Sequence, residues 1–397
     1  MELHNAYVQF DVSSSEGYHY LSSLPGYQAT FDDDTFHELV RRDPGVSFTE
    51  NNLNFPLLER TGDLDAHNLP FEASSQLERR DRAEQWNLRM VTASGKLQTP
   101  VENGDARVTE NGGAGVNIYV MDSGMRISHS AFGGRASNFQ DTAVSPYAAL
   151  EPMDDMADHG THVAGIAGSD TYGIARSANL INVKVVGSKG LNAAAMALAV
   201  NDIVDEHIRL RQGPSILLYN GHLWRGSIIN VSLRLDAGNE AYQKALQRAT
   251  REGVIVVAAA GNKNQDAEGE YPCGFGVRTR LVCVGSVDKS YHKDPASNHG
   301  PILDIAAPGV DIKSLSSLSD YATRTQTGTS MAAVRDVYSA IPIPFEEPSQ
   351  PSARGKGDMW WFRRHFIHVP FYACSSTDKF HSLILPGSWR CSCLTKA

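Results

Sequence analysis

The sequence predicts an α/β fold in which a parallel sheet is covered by helices on both faces, with a small α+β unit ahead of it. Three observations predict it. Beyond residue 85, apolar strand-like runs alternate with segments of helical period, the pattern of strand-helix-strand crossovers. Residues 1–60 instead show short strand signals around one helix. A length of 397 residues exceeds what one core fills, since single cores stop growing near roughly 250–300 residues.

In the first unit, strands are predicted at Tyr18 to Leu21, Gly26 to Phe31 and Val46 to Thr49. The helix comes from FDDDTFHELVRRDPGV: Asp33 or Asp34 caps it, Phe36, Leu39 and Val40 share a face, and Pro44-Gly45 stops it. Residues 61–84 are polar and aperiodic and read as a linker, in which Arg79-Arg80 is either a processing site or a solvated charge pair. The main domain runs over 85–333. Its strands are predicted at Val116 to Met121, Leu180 to Val186, Ser227 to Leu233, Val254 to Ala260 and Leu281 to Val287. Met196, Val200, Ile203, Val204 and His207 follow helical spacing, as do Tyr242, Ala245, Leu246 and Ala249, with Gly253 as the C-terminal cap of the second helix. On that apolar stripe His207 reads as a packed core residue.

Composition bounds the partners. A net charge of -9 supplies no basic footprint for nucleic acid. No apolar run approaches the ~20 residues of a membrane span, and MELHNAYVQFDV lacks the basic-then-apolar pattern of a secretory leader. Of five cysteines, Cys273 and Cys283 lie ten apart around a turn and read either as a disulfide, which favours an oxidising compartment, or as two buried thiols. Cys374, Cys391 and Cys393 crowd the tail.

Four segments carry chemistry. GVNIYVMDSG places Asp122 just past a buried strand, and open parallel sheets assemble their sites outside the carboxyl ends of strands. DHGTHVAGIAGS puts His159 at the mouth of a helix rich in small residues, Gly160, Ala164, Gly165 and Gly168, where an imidazole exchanges protons near neutral pH. A metal pair from His159 and His162 is the lesser reading, because the HExxH arrangement is absent. QTGTSMAA presents Ser330 after a Gly-Thr turn and before a helix, so its N–H and the helix dipole face any developing oxyanion. It is not a GxSxG elbow, since Ala332 replaces the second glycine. VIVVAAAGN delivers Asn262, a neutral amide donor, to the same sheet edge.

The order Asp, His, Asn, Ser and the four segments resemble the signature segments of the subtilisin-like serine proteases, nearest the proteinase K-like fungal branch. The resemblance spans 85–333, through QWNLRMV, YGIARSANLINVKVV and SNHGPILDIAAPGVDI, and implies a subtilisin-like three-layer sheet. Residues 1–60 resemble part of the family's inhibitory propeptide, with SLPGYQATF as the best stretch. That domain assists folding and blocks the cleft until it is cut. The resemblance also implies a secreted, extracellular precursor, whose leader and first propeptide strand would then lie upstream of Met1.

By position, the resemblance makes Ser330 the nucleophile, His159 its general base and Asp122 the group that orients the imidazole. Asn262 and the Ser330 N–H would form the oxyanion hole. Gly190-Leu191 and Ser232-Leu233 would be the two edges between which a polypeptide substrate lies as an added strand. Asp304 and the Pro272 carbonyl region resemble a structural calcium site of that branch; no cofactor is required for catalysis.

The chain departs from the family in three places. Arg234-Leu235 stands where Gly-Gly is usual, so the pocket beside the scissile bond is expected to be narrowed or recharged. Asn230-Val231-Ser232 is formally a glycosylation sequon on a cleft strand. From Val334 onward the sequence leaves the pattern, Pro342 and Pro344 interrupt any helix, and residues 334–397 match nothing in the family. The expectation is a disturbed nucleophile helix. Two functional classes therefore compete: an endopeptidase, favoured by all four site residues, and an inactive or misassembled relative acting at most as a binding protein, favoured by the tail. A dinucleotide-binding enzyme is disfavoured because no GxGxxG follows the first strand of the large domain.

Overall fold

The computed structural model describes residues 85–340, with breaks at 94–96, 105, 109–110 and 214–221, together with 19–21, 26–28, 40 and 54–55. The propeptide-like helix, its third strand, the linker and the tail beyond 340 lie outside the described residues. Of the N-terminal unit, β1 (His19–Leu21) and β2 (Gly26–Gln28) form an antiparallel pair, and β3 (Asn54–Phe55) joins another sheet described below.

A short helix, α1 (Trp86–Thr92), opens the main domain. The elements that follow are β4 (Val116–Asp122), β5 (Ala136–Asn138), α2 (Gly160–Gly168), β6 (Asn179–Lys184), β7 (Val186–Gly187), β8 (Gly190–Asn192) and α3 (Ala193–Gln212). Then come β9 (Gly226–Val231), α4 (Glu240–Glu252), β10 (Ile255–Ala259), β11 (Val282–Val287), β12 (Ile305–Pro308), β13 (Ile312–Leu315), β14 (Thr323–Gln326) and α5 (Thr329–Ala340). The central sheet has seven parallel strands in the order β12-β11-β10-β9-β4-β6-β5. Chain order reverses across β4, with β6 on one side and β9 on the other, and such a switch point opens a crevice at the carboxyl ends of the strands.

The period of two along β4 divides the core. Ile118 and Val120 pack on one face with α1, α2 and α5, while Tyr119 and Met121 pack on the other with α3 and α4. Both faces are dry, which is why the strands read as continuous apolar runs. On α4, Tyr242, Ala245, Leu246 and Ala249 form the buried stripe that the spacing predicts, Asn239 caps the start, and Gly253 ends it at φ 92°. Each large side chain so buried contributes about 1.5–3 kcal/mol. His207 is buried on α3, as its stripe implies.

Two details differ from the sequence reading. The predicted strand over Ser227 to Leu233 stops at Val231, leaving Ser232 and Leu233 beyond the ladder. The helix that carries Ser330 also survives its departure from the family pattern: α5 stays helical to Ala340, because no residue of VRDVYSA breaks a helix and the first proline is Pro342.

Candidate active site

Asp122 is the last residue of β4 and is fully buried. His159 caps α2, and its Nδ1 lies 2.7 Å from Asp122 Oδ1, which also accepts the Ser123 N–H at 2.7 Å. Gly160 is what allows this approach: a Cβ there would stand 2.1 Å from the Gly124 carbonyl and 3.0 Å from the Asp122 Cβ. The loop ahead of His159 is bolted down by carboxylates that sequence reasoning did not single out. Asp155 accepts from Ser123 Oγ at 2.7 Å and from the Thr161 N–H at 2.8 Å, and burial pushes its carboxyl above the usual range. Asp158 accepts from Ser316 Oγ at 2.9 Å and Arg324 Nη1 at 2.8 Å, tying the residue before His159 to the β13–β14 hairpin. The acidic cluster DDMAD before His159 was the available signal.

Ser330 sits in the first turn of α5 and is clasped by the end of β9. Its Oγ donates to the Ser232 carbonyl at 3.2 Å, while Ser232 Oγ donates to the Ser330 carbonyl at 3.0 Å. Met121 pairs with Val231, so Ser232 stands one step further on, level with Asp122 on the neighbouring strand, where strands lie roughly 4.8 Å apart. The register thereby brings the Asp122–His159 pair and Ser330 to one crevice.

Asn262 follows β10. Its Oδ1 accepts from the Thr329 N–H at 2.9 Å and Thr329 Oγ1 at 3.0 Å, and Thr329 Oγ1 accepts from the Gly261 N–H at 3.1 Å. This closed set fixes the amide and leaves Nδ2 as its donor end, next to Gly328, where a Cβ would come within 3.1 Å.

Gly190 and Leu191 belong to β8, which pairs antiparallel with β3 in the register Asn54↔Asn192, Phe55↔Leu191, and with β7 on its other side. Arg234 does not stand free. It donates to Glu270 Oε2 at 2.9 Å and ion-pairs with Asp236, and Lys263 reaches Asp236 at 2.9 Å and Glu270 at 3.4 Å. Two cations meet two carboxylates, so this end of the strand gains no net charge. Asn230 is fully buried and donates to Ser232 Oγ at 2.9 Å, which removes the sequon from glycan chemistry.

His162 is fully buried. Its Nε2 lies 3.0 Å from the Ile312 carbonyl and 3.1 Å from the Arg324 carbonyl, and burial, with His159 nearby, pushes the imidazole down to about 3. It is a neutral core donor, and the metal-pair reading falls. Cys273 and Cys283 form a disulfide with Cα atoms 5.5 Å apart. For calcium, Asp304 Oδ2 already accepts the Cys283 N–H at 2.9 Å and the Pro272 carbonyl accepts from Phe275 at 3.0 Å. No cluster of three or more metal-binding side chains occurs among the described residues, so a cation there would lean on carbonyls and share both donors.

The comparisons with known proteins bear directly on this geometry. The family model of the subtilases, peptidase S8, matches residues 113–334, more than half of the chain. The chain belongs to the subtilase family. Alkaline protease 1 of Aspergillus flavus is 31% identical over 338 residues, covering 84% of this chain and 72% of the relative. Alkaline protease 1 of Aspergillus clavatus is 32% identical over 260 residues, and the alkaline extracellular protease of Yarrowia lipolytica 36% over 265. The chain spans 57% and 52% of those two relatives. A crystal structure of a cold adapted subtilisin-like serine proteinase aligns with a TM-score of 0.52 at 28% identity, over 64% of this chain and 82% of that one. The subtilase match stops at Val334, where the sequence pattern also departs.

Proposed function

We propose that this subtilase hydrolyses internal peptide bonds of polypeptides through an acyl-enzyme on Ser330. The observation that carries the reading is the buried 2.7 Å contact between Asp122 and His159 Nδ1, set at the strand end beside which Ser232 holds Ser330. Asp122 fixes the tautomer, so that Nε2 is the face that takes the Ser330 proton and returns it to the leaving amine. Ser330 Oγ attacks the carbonyl carbon, and the oxyanion is met by Asn262 Nδ2 and the Ser330 N–H at the positive end of α5. Water then takes the place of the departed amine and releases the acid. No step runs through calcium.

Ser232-Leu233 and Gly190-Leu191 are assigned as the edges that grip the substrate backbone. The antiparallel pairing of β3 on β8 supports inhibition in cis, with the chain's own N-terminal segment lying where a substrate strand would lie. The neutral cluster around Arg234 argues against a preference for acidic side chains there. Export is supported by the Cys273–Cys283 disulfide and by the extracellular protease among the relatives. No helix among the described residues is long and apolar enough to cross a membrane.

The test uses a quenched fluorogenic peptide with one internal cleavable bond. Turnover by the chain, lost in Ser330→Ala and in His159→Ala, is the expected result; cleavage that survives Ser330→Ala would remove the assignment.

A further inference from the structure

Strands β9 and β10 part company beside Ser330. In their ladder Ala258 pairs with Val231, so three steps further on Gly261 falls level with Arg234. There the partners change: Leu235 exchanges both backbone hydrogen bonds with Tyr271, at 2.9 and 3.1 Å, while the Gly261 carbonyl accepts from the Asn298 N–H at 2.9 Å. The gap between the two diverging chains lies at the carboxyl end of the sheet, where open α/β folds receive their ligands. Ser330 borders it, since Ser232 holds its Oγ from the β9 side and the Gly261 N–H meets Thr329 Oγ1 from the β10 side.

Side-chain direction decides what occupies that gap. Val231, Leu233 and Leu235 are buried in the core that includes α3 and α4, so the alternation of an extended chain turns Ser232 and Arg234 to the opposite face, that of Ser330. Arg234 does not reach out into solvent from there. Only 13% of its side chain is exposed, and its Nη1 donates to Glu270 Oε2 at 2.9 Å. Glu270, 2% exposed, lies against the other chain, since a Cβ on Gly261 would stand 3.5 Å from its Cγ. The arginine therefore spans from the β9 side to a carboxylate beside the β10 side. That carboxylate is held in turn: Gln265 Nε2 donates to its Oε1 at 2.6 Å, and the Cys273–Cys283 disulfide ties the chain three residues further on to β11.

We propose that Arg234 and Glu270 fill the pocket beside Ser330 and restrict cleavage to peptide bonds whose carbonyl belongs to a small residue, glycine or alanine. The inference rests on the peptidase reading and names the substrate class of that same site. A larger side chain entering the gap would lift Arg234 off Glu270 and leave a buried carboxylate with Lys263, 3.4 Å away, as its remaining counter-charge. A hydrogen or a methyl group leaves the pair in place.

Two peptide anilides that differ only in the residue before the cleaved bond, Ala or Phe, test it through the ratio of their kcat/KM values. The full chain is expected to favour Ala by about 10²-fold, the scale on which a closed pocket rejects size. Arg234→Gly should shift the ratio towards Phe by at least about 10-fold. Because that variant leaves Glu270 short of a partner, Arg234→Gly combined with Glu270→Gln, which removes both charges, should show the same shift; the ratio is independent of how much protein is folded. A parent that cleaves Phe as well as Ala, or a ratio that both variants leave unchanged, overturns the inference while the peptidase reading stands. So does loss of both activities in both variants, which would make the pair a part of the fold alone. Cleavage of neither substrate by the parent removes the peptidase reading and this inference with it.

Discussion

Helices α2 and α5 carry at their starts the two side chains proposed to react, His159 and Ser330, and pack against each other, yet they are built from opposite materials. Helix α2 buries all nine of its residues, and its one titratable group, His162, is held neutral. Helix α5 buries Met331 to Val334 and then Arg335, which is 1% exposed. Arg335 Nη1 donates to the Tyr172 carbonyl at 3.1 Å, while Nε and Nη2 have no partner among the described residues. Burial, and then Arg176, push this guanidinium down to about 9, yet guanidinium groups keep their proton, so the pressure is felt as lost stability. The difference teaches that a catalytic N-terminus is held by its first turn. Asn262 and Ser232 fix Thr329 and Ser330 upstream of the misfit, and the helix absorbs a buried charge one turn later.

The largest effect should come from that first turn. Asn262→Ala is expected to lower the turnover number about 10²–10³-fold with little change in KM, the range measured for the corresponding donor of subtilisin and taken over here. Steady-state kinetics decide it, and an unchanged turnover number would make Asn262 only an anchor for Thr329. Arg335→Met should raise stability by about 1–4 kcal/mol, as when buried charges give way to apolar groups of similar size. Urea unfolding at constant m is the measurement; a lower midpoint would mean that the charge has a counterion and that the two helices are not built unequally.

On the other helix, Gly160→Ala should cost about 1–3 kcal/mol, because its Cβ meets the Gly124 carbonyl, and should slow the reaction by displacing His159 from Asp122. A variant as stable and active as the parent would show that β4 yields there. The smallest effect at neutral pH concerns His162. Its folded pKa, about 3, lies below the ordinary 6.5, so the unfolded chain binds the extra proton between those values and stability falls as pH drops through that window, by about 1.4 kcal/mol per unit. Unfolding midpoints across pH 7 to 4 should show this slope in the parent and a shallower one in His162→Gln. Equal slopes would place the acid sensitivity elsewhere.

Much of this was legible in the sequence because its signals are local. Buried parallel strands announce themselves as apolar runs, and the segments around Asp122, His159, Asn262 and Ser330 each end a strand or start a helix within a few residues. The clasp of Ser232 on Ser330, the ties from Asp158 to the hairpin, and the charge matching around Arg234 were not legible. They join residues 36 to 166 positions apart, and no periodicity encodes a partner at that distance. Strands β12 to β14, four residues each, are too short to show a period. The charge of Arg335 is visible in the sequence, whereas the first-turn anchors that preserve the helix are not.

The central claim is that Ser330 is an activated nucleophile in the chain as it stands, buried arginine included. Labelling of the folded 397-residue protein with a fluorophosphonate, followed by peptide mapping, tests it most directly. One adduct is expected, on Ser330, that disappears in Ser330→Ala and forms far more slowly in His159→Ala. An unlabelled folded protein, or an adduct elsewhere that persists in Ser330→Ala, would contradict it.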